Sequence, residues 1–185
     1  MSQDSVLSTF LSGRVSVLVG DITQQRVAAV VNAANASLLG GGGVDGAIHR
    51  GGGPDILAAC QELRRTRYPD GLPTGEAVLT TAGHLPARHV IHTVGPVYGA
   101  AGERAADLLT ACYRNSFSLA GQHELTTLAF PAISTGVYGY PREEAAGVAS
   151  RAITDFLADD TSLSEVRLVF FAEQDAVIFV RQQAF

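Results

Sequence analysis

Two glycine-rich segments hold most of the residues able to do chemistry. In Asn32–Arg50, reading NAANASLLGGGGVDGAIHR, four consecutive glycines (Gly40–Gly43) follow an apolar run ending at Val31 and precede a helical start carrying Asp45. Backbone without side chains can approach a ligand closely and turn its N–H groups toward an anion. Asn32 and Asn35 upstream, with Asp45 and His49 downstream, crowd the same loop with polar groups. The four-residue spacing puts Asp45 and His49 on one helix face. This reads as a phosphate cradle beside a reactive carboxylate. The alternative is a flexible surface loop, although such linkers are usually Gly/Ser-rich without polar company of this kind.

The second segment is Ser134-Thr135-Gly136-Val137-Tyr138-Gly139-Tyr140, directly before a helix opened by Pro141. Proline at a first helical position and glycines just upstream fit a loop presenting amides at a helix N-terminus, where an anion is favoured. Two such loops after different strands could grip a diphosphate from both sides. Tyr138 and Tyr140 pack either on a sugar or base, or in the core. Gly20-Asp21-Ile22-Thr23 offers a carboxylate at a strand exit. It could accept from an exocyclic amine such as adenine N6, or serve only as a cap or Asx-turn.

These loops need elements to position them, and the chain alternates strand and helix throughout. Strands are expected at Val15–Val19, Ala28–Asn32, Glu76–Thr81, His89–Val94, Thr126–Pro131 and Val166–Phe171. Several are continuous apolar runs, as strands covered on both faces are. Helices are expected at Asp45–Arg65, Glu103–Gln122 and Arg142–Ala158, with a short terminal one from about Gln174. Ala106, Leu109, Tyr113 and Phe117 form a core-facing stripe on the second. The expected fold class is therefore α/β, a three-layer domain with a central mixed, largely parallel sheet spanning 1–185 as one domain. In such folds ligands bind beyond the carboxyl ends of strands, where Asp21, Asn35, the glycines and Ser134–Tyr140 all fall.

Composition narrows the function classes. All 13 basic residues are arginine, which removes a lysine-bearing phosphate loop and Schiff-base chemistry, so a nucleotide would be held by amides, helix ends or Arg. A net charge of −5 without a basic block argues against duplex binding. Arg64, Arg65 and Arg67 form a short cluster, read as a solvated helix end or as a contact for an acidic protein. Cys60 and Cys112 sit in helical patterns and read as small buried hydrophobes; no metal constellation is evident. His84, His89, His92 and His123 read as structural. Without a membrane span or a leader-like N-terminus in MSQDSVLSTF, the expected compartment is cytoplasmic and the expected state monomeric.

Taken in order, NAAN at Asn32–Asn35, GGGGVDGAIHR at Gly40–Arg50, PTGEA at Pro73–Ala77, VIHTVGP at Val90–Pro96 and PAISTGVYGYP at Pro131–Pro141 resemble the macrodomain family, specifically its MacroD-type ADP-ribosyl hydrolases. The resemblance runs from GDIT at Gly20 to VFFAEQD ending at Asp175. It implies an α/β/α macrodomain that binds ADP-ribose, with Asp21 on the adenine amine and Ile22 offering an amide. Asn35 would meet the distal ribose. Gly41, Gly42, Gly43 and Val44 would face Ser134, Thr135, Gly136, Val137 and Tyr138 across the diphosphate. Tyr138 would orient the distal ribose and Phe171 pack on adenine. The implied catalytic set is Asp45, Asn35 and Tyr138, with no cofactor.

Water activated near Asp45 and the diphosphate would remove ADP-ribose from Asp or Glu esters of proteins and deacetylate O-acetyl-ADP-ribose. The diphosphate can share the role of base, leaving Asp45 to position the water. A branch of the family that attacks with lysine is closed to this chain. The implied partners are ADP-ribose and ADP-ribosylated proteins, with nucleic acid confined to ADP-ribosylated ends. Other readings are a non-catalytic ADP-ribose reader and a phosphatase acting on ADP-ribose phosphate. Gly51-Gly52-Gly53-Pro54 departs from the Ala-Ala-Gly-Pro of many relatives, and is expected to loosen the helix at about 0.8–1.0 kcal/mol per glycine.

Overall fold

Val, Ile and Leu runs make the strands, and their pairing places the glycine loops together. The computed structural model describes residues 4–185; the first three, part of the N-terminal stretch read above for a leader, lie outside it. The strands are β1 (Ser5–Phe10), β2 (Val15–Val19), β3 (Ala29–Ala34), β4 (Ala77–Thr81), β5 (His89–Val94), β6 (Thr127–Phe130) and β7 (Glu165–Phe170). They form one sheet in the order β1-β2-β7-β6-β3-β5-β4. The five central strands, β2 through β5 in that order, are parallel, and only the edge strands β1 and β4 run antiparallel to their neighbours. The mixed, largely parallel sheet is as expected.

The helices are α1 (Gly43–Gly52), α2 (Pro54–Thr66), α3 (Tyr98–Ala101), α4 (Ala105–Gln122), α5 (Arg142–Asp159) and α6 (Glu173–Gln182). Side chains along a strand alternate between faces, so β3 sends Ala29 and Val31 to one layer and Val30 and Ala34 to the other. The first layer lies under α4, α5 and α6; the second lies under α1 and α2. Both faces of the sheet are thus covered, giving three layers. No helix among the described residues is long and apolar enough to cross a membrane.

Several details differ from the sequence expectation. The single helix expected over Asp45–Arg65 is two helices, broken at Gly53, whose φ of 76° is open to glycine and strained for other residues. Gly51 and Gly52 do not interrupt α1. It runs regularly through Gly52, and the Ile56 and Leu85 side chains occupy the space that methyl groups there would need. Strand β1 was not foreseen: it is a mostly exposed edge strand with interspersed Ser and Thr and an irregular register between Val6 and Ser8. Pro141 caps α5 from just outside it rather than occupying its first turn.

Candidate active site

The carboxyl ends of β2, β3, β6 and β7 open into one cavity of about 810 Å³, within the usual range for small-molecule sites. It is lined by Asp21, Ile22, Asn35, Gly41, Gly42, Gly43, Val44, Asp45, Ser134, Thr135, Gly136, Val137, Tyr138 and Phe171. These fourteen residues, all named from the sequence, therefore meet in one place. Tyr140 does not; it is buried against Tyr98, ring centroids 4.8 Å apart, so of the two tyrosines one faces the cavity and the other the core.

One wall is the entry to α1. Asn35 follows β3, and its side-chain oxygen accepts from the backbone N–H and hydroxyl of Ser37 while its Nδ2 donates to Gly40 O at 3.0 Å. These bonds close the loop that delivers the glycines. Arg64 braces the same loop by donating to Ser37 O at 2.8 Å, and it also holds the carbonyls of Tyr68 and Pro69. That part of the basic cluster is an internal pin, whereas Arg65 pairs with Glu62 on the surface. The first amides of α1 have no intrahelical acceptor and stand at the cavity wall. An anion there would meet donors and a favourable helix dipole.

The opposite wall is the loop between β6 and α5. Ser134 adopts the left-handed region (φ 65°), and its carbonyl accepts from Tyr140 N while Gly136 O accepts from Gly139 N, both at 3.0 Å. The turn is thereby fixed with Thr135–Val137 outward. Val137 is 99% exposed and Phe171, immediately after β7, is 90% exposed, both at the cavity rim. A phenyl ring left in water at a cavity mouth is a platform suited to a planar ring. Asp21 accepts from Thr23 N and Oγ1 through Oδ1, at 2.8 and 2.7 Å, so its capping role is real. Its other oxygen remains available to a donor.

Asp45 lies on the floor, 5% exposed, in the first turn of α1. Its Oδ1 accepts from Asn32 Nδ2 at 2.7 Å, with His49 Nε2 at 3.4 Å. Its Oδ2 is buried without a protein partner, close to Gly41. Asn32 in turn lies 3.1 Å from His92 Nδ1, and His92 Nε2 lies 2.8 Å from Thr80 Oγ1 and 3.8 Å from Cys60 Sγ. Burial, and secondarily His49, pushes the His92 pKa down to about 3; burial, then Asp45, pushes the Cys60 thiol up to about 12. His49, Cys60 and His92 bring potential ligand atoms within 4.8 Å of one another. Both ring nitrogens of His92 already have partners, Asn32 on Nδ1 and Thr80 on Nε2, which argues for a hydrogen-bonded core cluster over a cation cage.

From sequence alone His92 reads as structural, and Asn32 only as one of the polar groups crowding the glycine loop. The signal was present as a polar residue inside each of two apolar strands, VVNAA and VIHTV. Register Asn32↔His92 between β3 and β5 makes them neighbours, and that pairing is not local in sequence. Arg50 was also passed over; it is the one basic residue lining the cavity among the described residues.

Comparison with known proteins agrees with this geometry. The family model described as Macro domain matches residues 31–149. A Streptomyces griseus protein described as macro domain-containing is 57% identical over 89% of this chain and 92% of its own length. A Klebsiella pneumoniae protein named O-acetyl-ADP-ribose deacetylase is 52% identical over 89% of this chain and 93% of its own. Among solved structures, the Oceanobacillus iheyensis macrodomain with ADP superposes with a TM-score of 0.93 at 43% identity, covering 98% of this chain and 96% of that one. The Trypanosoma brucei macrodomain in complex with ADP-ribose gives 0.83 at 40% identity, covering 91% and 68%.

Proposed function

The chain belongs to the macrodomain family, and from that premise we propose that it hydrolyses esters of ADP-ribose, removing ADP-ribose from Asp or Glu of proteins and acetate from O-acetyl-ADP-ribose. The observation that carries the reading is Asp45: a carboxylate whose Oδ1 is tied by Asn32 while Oδ2 has no protein partner, on the floor between two amide-bearing walls. A binding module needs the walls but not that carboxylate. Relatives named O-acetyl-ADP-ribose deacetylase, near 50% identity over most of their length, support the same reaction class.

In this reading the diphosphate lies between the Gly41–Val44 and Ser134–Tyr138 walls, Asp21 takes the adenine amine and Phe171 covers the base. Tyr138 and Asn35 hold the distal ribose over Asp45. Water beside Oδ2 gives up a proton as its oxygen adds to the ester carbon. The bond to the ribose oxygen breaks, and that oxygen takes the proton as free ADP-ribose leaves. General-base assistance of this kind contributes roughly 10²–10⁴-fold.

The test is release of free ADP-ribose from a protein carrying glutamate-linked ADP-ribose. Release by wild type and its loss in Asp45→Ala are expected. ADP-ribose binding without release by wild type would make the chain a reader.

A further inference from the structure

Hydrogen accounting in the cluster behind Asp45 leaves one arrangement. Thr80 Oγ1 donates to Thr81 O at 2.9 Å, so toward His92 it can only accept, and the imidazole proton sits on Nε2. His92 Nδ1 then presents a lone pair to Asn32 Nδ2, 3.1 Å away. The same NH₂ group gives its other hydrogen to Asp45 Oδ1 at 2.7 Å. Rotating the Asn32 amide by half a turn would aim its oxygen at both the Asp45 oxygen and the imidazole lone pair. Both Asn32 and His92 are fully buried, so no solvent would relieve that repulsion. The orientation leaves Asn32 Oδ1 without a partner, a cost accepted at the side chain that holds Asp45.

We infer that His92 is a positioning residue for the hydrolysis proposed above: its Nε2–H tautomer fixes the Asn32 amide, and Asn32 holds Asp45 so that Oδ2, beside Gly41, is the oxygen that meets water. This rests on the functional reading, since a pure binder has no use for an aimed carboxylate. The groups around the imidazole are Asn32 from β3, Asp45 and His49 from α1, Cys60 from α2 and Thr80 from β4. Burial keeps His92 neutral across the ordinary range, so the lock holds wherever the protein is folded at neutral pH.

The experiment compares His92→Leu, which fills the space without an acceptor, with His92→Asn, whose amide oxygen can stand near the Nδ1 position. O-acetyl-ADP-ribose turnover, ADP-ribose affinity by calorimetry and thermal midpoint are read for each. His92→Leu is expected to lose at least about tenfold in kcat, toward the roughly 10²-fold that a misplaced group costs, with ADP-ribose affinity within about twofold of wild type. His92→Asn should recover most of that loss. Nitrogen-15 shifts of the wild-type ring should report the proton on Nε2. Wild-type kcat in a folded, ADP-ribose-binding His92→Leu, or a proton on Nδ1, would overturn the inference alone. Absence of turnover in wild type would overturn the functional reading and this inference with it.

Discussion

On the α4–α5–α6 side of the sheet, aromatic rings fill the layer. Phe117 stacks on Phe156 at 4.6 Å and meets Phe130 at 5.2 Å, and Tyr113 stacks on Phe130 at 5.1 Å. Buried hydroxyls there mostly look after themselves: Ser116 and Ser150 donate to Cys112 O and Ala146 O one turn back, both at 2.7 Å. On the α1–α2 side the buried core is aliphatic, without a buried phenylalanine, and it encloses Asn32, Asp45, Thr80 and His92. Of the buried side-chain atoms lacking a partner, Asn32 Oδ1, Asp45 Oδ2, His49 Nε2 and Ser134 Oγ gather at or beneath the cavity, while Thr154 Oγ1 stands apart on α5. One face is packed for cohesion. The other leaves polar atoms unpaired, which is destabilising unless they serve a site.

The difference can be broken or sharpened by experiment. Phe117→Ala should destabilise by about 3–5 kcal/mol, read by urea unfolding, with ADP-ribose affinity of the folded protein unchanged. A drop in affinity with little loss of stability would erase the division between faces. Asp21→Ala should do the reverse. Losing a charge-assisted hydrogen bond costs about 1.5–3 kcal/mol of binding, roughly tenfold to a hundredfold in Kd, with a smaller loss of stability, about 0.5–2 kcal/mol, from the turn that Asp21 caps. Unchanged affinity in calorimetry would remove Asp21 from the adenine site.

A graded effect, spread over several pH units, should come from pH. His92 is neutral in the fold, its pKa pushed to about 3 against an ordinary 6.5. The unfolded chain therefore takes a proton first as pH falls. Stability from this group is complete above about pH 6.5 and declines toward about pH 3, by up to about 1.4 kcal/mol per pH unit. Urea midpoints of wild type and His92→Leu should diverge in slope over that window; parallel curves would mean that His92 is not held neutral.

Much of this was legible in the sequence, for physical reasons that differ by element. The central strands read clearly because burial on both faces demands continuous apolar runs, as in AVVNAA. The cavity walls read clearly because glycine runs and their polar neighbours lie within single loops. β1 did not, since an edge strand facing solvent has no such run. The break at Gly53 was hidden because helical character resumes at once with Pro54 opening α2. Asn32 and His92 were hidden by distance along the chain: only the pairing of β3 with β5 joins them, and each alone looks like a satisfied core residue. Tyr138 and Tyr140, two apart in one loop, parted to cavity and core by backbone turns that their spacing did not reveal.

The most direct test of the account is the rate of acetate release from O-acetyl-ADP-ribose by Asp45→Ala, with ADP-ribose affinity measured on the same sample. A fall of roughly 10²–10⁴-fold in kcat at near wild-type affinity is predicted. Wild-type turnover in Asp45→Ala would contradict it and move the chemistry away from the polar face.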